Sequence, residues 1–214
     1  MYDLHTHTYV SDGVLGLSEL TRRCQRQGYK GLAITDHCDH ANIEEVVRRA
    51  CHFCEQVSET YGGMKILAGC ELTHVPPALI PQLTDKAREL GADIVLVHGE
   101  TVVEPVAEGT NRAAVDAGVD VLAHPGLIDV EDVARAAERE VMLEISGRKG
   151  HCYTNGHVAR LADESGARLS FGSDGHRPGD YPDRSRAIAI LRGAGLSAVR
   201  AEKVLENCRK VFER

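Results

Sequence analysis

The sequence predicts an α/β fold of seven parallel strands alternating with helices, and three observations predict it. Seven short apolar runs fall at residues 2–4, 31–34, 65–68, 93–97, 120–123, 141–145 and 168–171. Most are nearly continuous in Val, Ile, Leu and Ala, as strands buried on both faces are. Helical patterns separate them, and strand–helix alternation implies parallel strands joined by right-handed crossovers. No G-x-G-x-x-G loop follows the first run. Its absence weakens an open nucleotide-binding sheet against a closed or distorted, TIM-barrel-like (β/α) barrel.

The helices follow in order. Residues 17–27 are amphipathic, with Ser18 as a candidate cap and Gly28 as the stop. Residues 42–60 end at Gly62-Gly63, 78–90 at Gly91 and 110–117 at Gly118. Residues 129–139 open on an Asp cap, and 155–165 end at Gly166. Two more, 183–192 and 197–212, follow the last strand. The Gly- and Pro-rich segment 175–182 is expected to fold over one end. With no linker or repeat, the 214 residues are expected to form one domain, 1–214.

Composition narrows the function. Hydrophobic residues make up 43%, enough for a sizeable core. No apolar run is long enough to span a membrane, and the N-terminus shows no secretory leader, so the expected location is cytoplasmic. The net charge of −7 argues against duplex nucleic acid as a partner. It leaves room for a small anionic substrate if metal ions supply positive charge locally. The seven cysteines read as free thiols, with Cys51 and Cys54 packing as helical neighbours. Oligomeric state has no signature.

The chemistry lies in where the ligand-type residues fall. His5 and His7 close the first strand, His37 the second, Glu71 the third, His98 the fourth and His124 the fifth. Asp174 and His176 follow the seventh, and Asp12 lies in the first loop. In a β/α barrel all these strand ends share one face, where active sites form. A single such histidine would usually be structural. Six of seven strand ends so equipped would bury many imidazoles and charges without partners, a cost that bound cations remove. The set of His, Asp and Glu suits Zn²⁺, Mn²⁺ or Fe²⁺ in an open catalytic site. The spacing of His5 and His7 puts both imidazoles on one side of the strand. Nine ligands are too many for one ion and fit two or three divalent ions.

The motifs in order are Asp3-Leu4-His5-Thr6-His7-Thr8, Ser11-Asp12-Gly13, Thr35-Asp36-His37, Gly69-Cys70-Glu71-Leu72, Val97-His98-Gly99, Ala123-His124-Pro125 and Ser173-Asp174-Gly175-His176. Together they resemble the PHP (polymerase and histidinol phosphatase) superfamily. The chain is most similar to its small stand-alone members related to histidinol-phosphate phosphatase. The resemblance implies a distorted seven-stranded (β/α)7 barrel with a trinuclear site at the C-terminal ends of the strands. It implies that His5, His7, Glu71 and Asp174 hold one ion and that Glu71 bridges to a second, completed by His98 and His124. Asp12, His37 and His176 would hold the third.

The expected activity is that of a metal-dependent phosphoric ester hydrolase acting on a small phosphorylated substrate, with hydroxide attacking phosphorus. Arg148, Lys149 and Arg177 are candidates for binding phosphate. His151 is a candidate proton donor to the leaving alkoxide, and Asp174 and His176 are catalytic as well as ligand candidates. His74 and His40 are expected just outside the ligand set. A nucleotide phosphatase or short-oligonucleotide exonuclease would use the same centre. An amidohydrolase acting on C–N bonds fits less well, because the bridging position is occupied by Glu71.

Overall fold

In the computed structural model, residues 1–57 and 60–213 are described, and a parallel sheet curls into a nearly closed barrel ringed by helices. The strands are β1 (Tyr2–Asp3), β2 (Gly31–Ile34), β3 (His37–Cys38), β4 (Lys65–Leu72), β5 (Ile94–His98), β6 (Val121–Ala123), β7 (Met142–Ser146) and β8 (Leu169–Gly172). They pair in the order β1-β2-β4-β5-β6-β7-β8, with β3 on the end of β4. The two edges meet above β1 and β8. There the His7 amide donates to the Gly175 carbonyl at 3.0 Å and the Asp174 amide to the His5 carbonyl at 2.9 Å.

The sequence-based strands are all found, and β3 is an addition. The chain leaves the ladder at Thr35-Asp36 and rejoins it at His37, opposite Glu71. Strand β4 runs to Leu72 rather than stopping near residue 68. Gly69 does not break it. A Cβ there would stand 2.5 Å from the Ile94 carbonyl oxygen, so the glycine permits close approach to β5. The extra length carries Glu71 into the barrel mouth.

The helices are α1 (Leu17–Arg26), α2 (Ile43–Val57), α3 (Ile80–Glu89), α4 (Thr110–Ala117), α5 (Val130–Glu138), α6 (Asn155–Ser165), α7 (Arg184–Gly193) and α8 (Ala198–Val211). Short 3₁₀ turns precede α3 and α6. The expected end of α2 at residue 60 crosses residues 58–59, which lie outside the described residues. Ser18 does not cap α1. Gly16 occupies that position and Ser18 lies inside the helix. The Asp129, Asp183 and Ser197 side chains do cap their helices, each accepting from a backbone N–H. Cys51 and Cys54 lie half-buried in α2 as free thiols, and Cys51 Sγ contacts the Gly91 carbonyl.

Strand residues such as Ile94, Leu96, Leu122 and Leu143 are fully buried. Each such side chain contributes on the order of 1.5–3 kcal/mol. This apolar wall holds the strand ends, and with them the polar rim, in register. Among the described residues no helix is long and apolar enough to cross a membrane.

Candidate metal centre

All nine candidate ligands converge at the C-terminal rim. Glu71 sits at the centre, fully buried at the end of β4. Its Oε2 lies 3.3 Å from His5 Nε2 and 3.6 Å from His7 Nε2. Its Oε1 lies 3.4 Å from both His98 Nδ1 and His124 Nε2. Asp174 lies 3.3 Å from His7 Nε2 through Oδ1 and 3.7 Å from His124 Nε2 through Oδ2. A third group forms at the edge, where Asp12 Oδ1 lies 2.9 Å from His176 Nε2 and 3.5 Å from His37 Nε2.

The first loop is tied to the second strand end. Asp36 accepts from the Thr8 amide and hydroxyl, both at 2.7 Å, and from the Ser11 hydroxyl at 2.6 Å. These bonds fix the turn that carries Asp12 beside His37. Gly13 is needed there, because a Cβ would stand 2.6 Å from the His7 carbonyl oxygen. Two of the converging residues have left-handed backbones, His124 (φ 27°) and Asp174 (φ 51°). Strain of that kind costs about 1–3 kcal/mol per residue and must be held by the surrounding barrel.

The donor set fits divalent cations. His5 Nε2, both ring nitrogens of His7 and His98, both oxygens of Glu71, His124 Nδ1 and His176 Nε2 are buried without a hydrogen bond. Leaving such atoms unpaired costs roughly 1–3 kcal/mol each. Ligand atoms on one tetrahedral ion stand roughly 3.3 Å apart, from bond lengths of about 2.0–2.1 Å. The contacts of Glu71 with His5, His7, His98 and His124 have about that spacing, whereas His37 Nδ1 lies 2.7 Å from Oε2, at hydrogen-bond length.

The buried groups shift one another: against burial, Glu144 and Glu71 raise His5, and Glu71 raises His37 and His124, so cations would take the place of protons on these rings. Burial opposes charge on Glu71, but His5 and His37 hold its carboxyl well below the usual range. Asp174 is likewise lowered, with His5 and His7 overcoming burial. Asp12 is held near 2 against its burial by His176 and His37. Burial and the neighbouring His37 push His7 down to about 3, leaving a neutral ring with a free lone pair.

Of the candidates beyond the nine, Arg148 and His151 reach the mouth. They line a cleft of about 230 Å³ with His74 and the third-group residues. Arg148 Nη1 lies 2.7 Å from His176 Nδ1 and donates to the Asp174 carbonyl at 3.1 Å. His151 stacks on His124 with ring centroids 4.1 Å apart, and its Nδ1 lies 2.8 Å from Thr101 Oγ1. Burial and the adjacent His124 push its pKa down to about 3.

Lys149, Arg177 and His40 are exposed, and none lines this cleft. His40 borders a separate groove of about 800 Å³ between α2 and α3, away from the candidate ligands. Two acidic residues were not foreseen. Glu144, buried in β7, lies 2.6 Å from His5 Nδ1. Glu104 stands at the cleft edge, 3.1 Å from His98 Nε2 and 3.4 Å from His151 Nε2. The signal for Glu144 was a lone acid inside the apolar run 141–145. No sequence signal distinguishes Glu104 from other loop acids.

The PHP domain model matches residues 3–164. The chain belongs to the PHP family. A probable phosphatase of Shewanella halifaxensis is 33% identical, over 91% of this chain and 84% of its own length. An uncharacterized protein of Methanocaldococcus jannaschii is 44% identical, over 96% and 93% of the two chains. The histidinol phosphate phosphatase of Lactococcus lactis, solved with zinc, L-histidinol and phosphate, superposes with a TM-score of 0.64. That likeness covers 92% of this PHP chain and 94% of the other at 16% identity, and it shows the barrel fold.

Proposed function

We propose that this PHP phosphoester hydrolase removes phosphate from a small phosphate monoester, in the manner of histidinol-phosphate phosphatase. The observation that carries the reading is the division of Glu71, whose Oε1 faces His98 and His124 while its Oε2 faces His5, His7 and, at 2.7 Å, His37 Nδ1. One carboxylate so placed would bridge two ions. His5, His7 and Asp174 would complete the first position, His98 and His124 the second, and Asp12, His37 and His176 a third. Zn²⁺, Mn²⁺ and Fe²⁺ all accept these donors. Divalent ions held there would lower the pKa of water and screen the charge of a phosphate.

The chain's own residues supply the rest. Arg148, one-third exposed beside Asp174, turns its guanidinium toward the cleft, where its planar fork matches phosphate oxygens. The Thr101 hydroxyl can donate to His151 Nδ1, which leaves Nε2–H toward the cleft as a donor to a phosphate or leaving-group oxygen. The small cleft, which no tyrosine lines, favours a compact monoester over an oligonucleotide, although Tyr9 and Tyr153 are exposed.

The test is phosphate release from L-histidinol phosphate, nucleotide mono- and bisphosphates and an aryl phosphate, with added Mn²⁺ or Zn²⁺ and after chelation. Release should require metal. Arg148→Met should lower kcat/KM by about 10²-fold while leaving bound metal unchanged, as loss of one oriented charged donor does. Metal binding without release from any ester would sink the monoester reading. An Arg148→Met protein with full activity would remove Arg148 from it.

A further inference from the structure

Glu144 lies in the middle of β7, 1% exposed, between Leu143 and Ile145. A carboxylate buried in an apolar strand is costly unless something holds it. We propose that Glu144 is a positioning residue for His5, fixing its tautomer and ring direction so that Nε2 presents a bare lone pair to the metal position. The inference rests on the metal-centre reading above.

The geometry is direct. Glu144 Oε2 lies 2.6 Å from His5 Nδ1, with both groups out of solvent. The carboxylate accepts in this bond when the imidazole proton sits on Nδ1, which is the tautomer proposed for His5. A neutral imidazole with its proton on Nδ1 has its lone pair on Nε2. That nitrogen points to the opposite side, 3.3 Å from Glu71 Oε2 and 4.0 Å from Asp174 Oδ1. Carboxylates in this relation orient imidazole ligands and raise their basicity. A separation of 2.6 Å is hydrogen-bond length, tighter than the roughly 3.3 Å expected between two ligands of one tetrahedral ion.

The barrel is built to allow this reach. Glu144 starts on β7 and must cross β8 to meet His5 beyond β1. The β8 residues facing inward at that level are Ser170 and Gly172, paired with Glu144 and Ser146. A Cβ on Gly172 would collide with Glu144 Oε2 and stand 2.6 Å from His5 Cβ. Gly172 is therefore the gap through which the carboxylate passes. Substituting it disturbs the pair without touching a charge.

The experiment compares wild type, Glu144→Gln and Gly172→Ala by zinc affinity, zinc stoichiometry at saturation and imidazole ¹⁵N spectra of the zinc-loaded protein. Glu144→Gln should lower zinc affinity by about 10–100-fold. Stoichiometry should stay constant, and the His5 Nδ1–H signal should move. Gly172→Ala should lower affinity in the same direction. Unchanged affinity and an unmoved His5 signal in Glu144→Gln would overturn the proposal. So would the loss of a whole ion at saturation, which would make Glu144 a ligand instead. Wild type that takes up no zinc, Mn²⁺ or Fe²⁺ would overturn the metal-centre reading itself, a different failure from an insensitive Glu144.

Discussion

The wall of the barrel and its C-terminal rim obey opposite rules within a few residues of each other. In β5, Ile94 to Val97 are apolar and buried in a hydrogen-bonded ladder. The next residue, His98, is also buried, yet neither ring nitrogen has a hydrogen bond. A similar change occurs from Leu122 and Ala123 to His124, whose Nδ1 has no hydrogen bond and whose backbone is left-handed. The wall lowers the free energy of the fold, whereas the rim raises it until something binds. A rim of imidazoles with unpaired ring nitrogens is tolerated because the wall over-determines its position. It is also what leaves ligand atoms open for cations.

The largest effect should come from breaking the rim at its centre. Glu71→Gln keeps the volume and removes the bridging charge. Metal-dependent phosphate release should fall on the order of 10³-fold or more. Wild type should gain about 2.7 kcal/mol of stability when free metal is a hundred times its Kd. Glu71→Gln should lose most of that gain, read as the difference in thermal midpoint with and without chelator. A variant that keeps the full metal-induced shift would show that Glu71 does not bridge.

The wall should break in the other way. Ile94→Ala, at a fully buried position in β5, should cost about 2–5 kcal/mol. The loss should be similar in chelated and metal-loaded protein, by denaturant unfolding. Activity per folded molecule should change little. If the stability loss appeared only with metal present, wall and rim would not be separable.

The wall was also what the sequence revealed best. Continuous apolar runs mark strands buried on both faces, and helices α4 and α6 end where expected because Gly118 and Gly166 adopt left-handed backbones. Eight of the nine candidate ligands were legible because each sits at or near the end of such a run, and Asp12, in the first loop, was legible through the Ser11-Asp12-Gly13 motif. The short β3 was not, since two residues carry no periodicity. Lys149, Arg177 and His40 adjoin the motifs in sequence, but adjacency does not fix side-chain direction, and these three exposed residues do not line the cleft. Glu144 and Glu104 reach the rim from a strand interior and a loop, which only the closed barrel brings near His5 and His98.

A smaller effect tests a part of the wall's scaffold that the sequence did specify. Asp129 accepts from the Asp132 amide at 2.8 Å at the start of α5. Asp129→Ala should cost about 1 kcal/mol, the usual value of such a cap. Ser18→Ala should be near neutral, because Ser18 caps nothing. Equal losses from the two, by denaturant unfolding, would contradict the cap assignments.

The smallest effect separates strain that serves the rim from strain that does not. His124 and Asp174 hold left-handed backbones at the centre, and Glu140 holds one (φ 58°) just past the end of α5. Where α4 and α6 end, glycine fills the comparable position. A left-handed non-glycine residue costs about 1–2 kcal/mol, partly offset for glycine by its greater freedom in the unfolded chain. Glu140→Gly should therefore stabilise the protein by about 0.5–1 kcal/mol without changing activity. Asp174→Gly relieves the same kind of strain but removes a carboxylate facing His7 and His124, so metal affinity should fall with it. If Glu140→Gly instead destabilised the chain, its side chain would have a role that the packing does not show, and α5 would not be the passive scaffold this contrast requires.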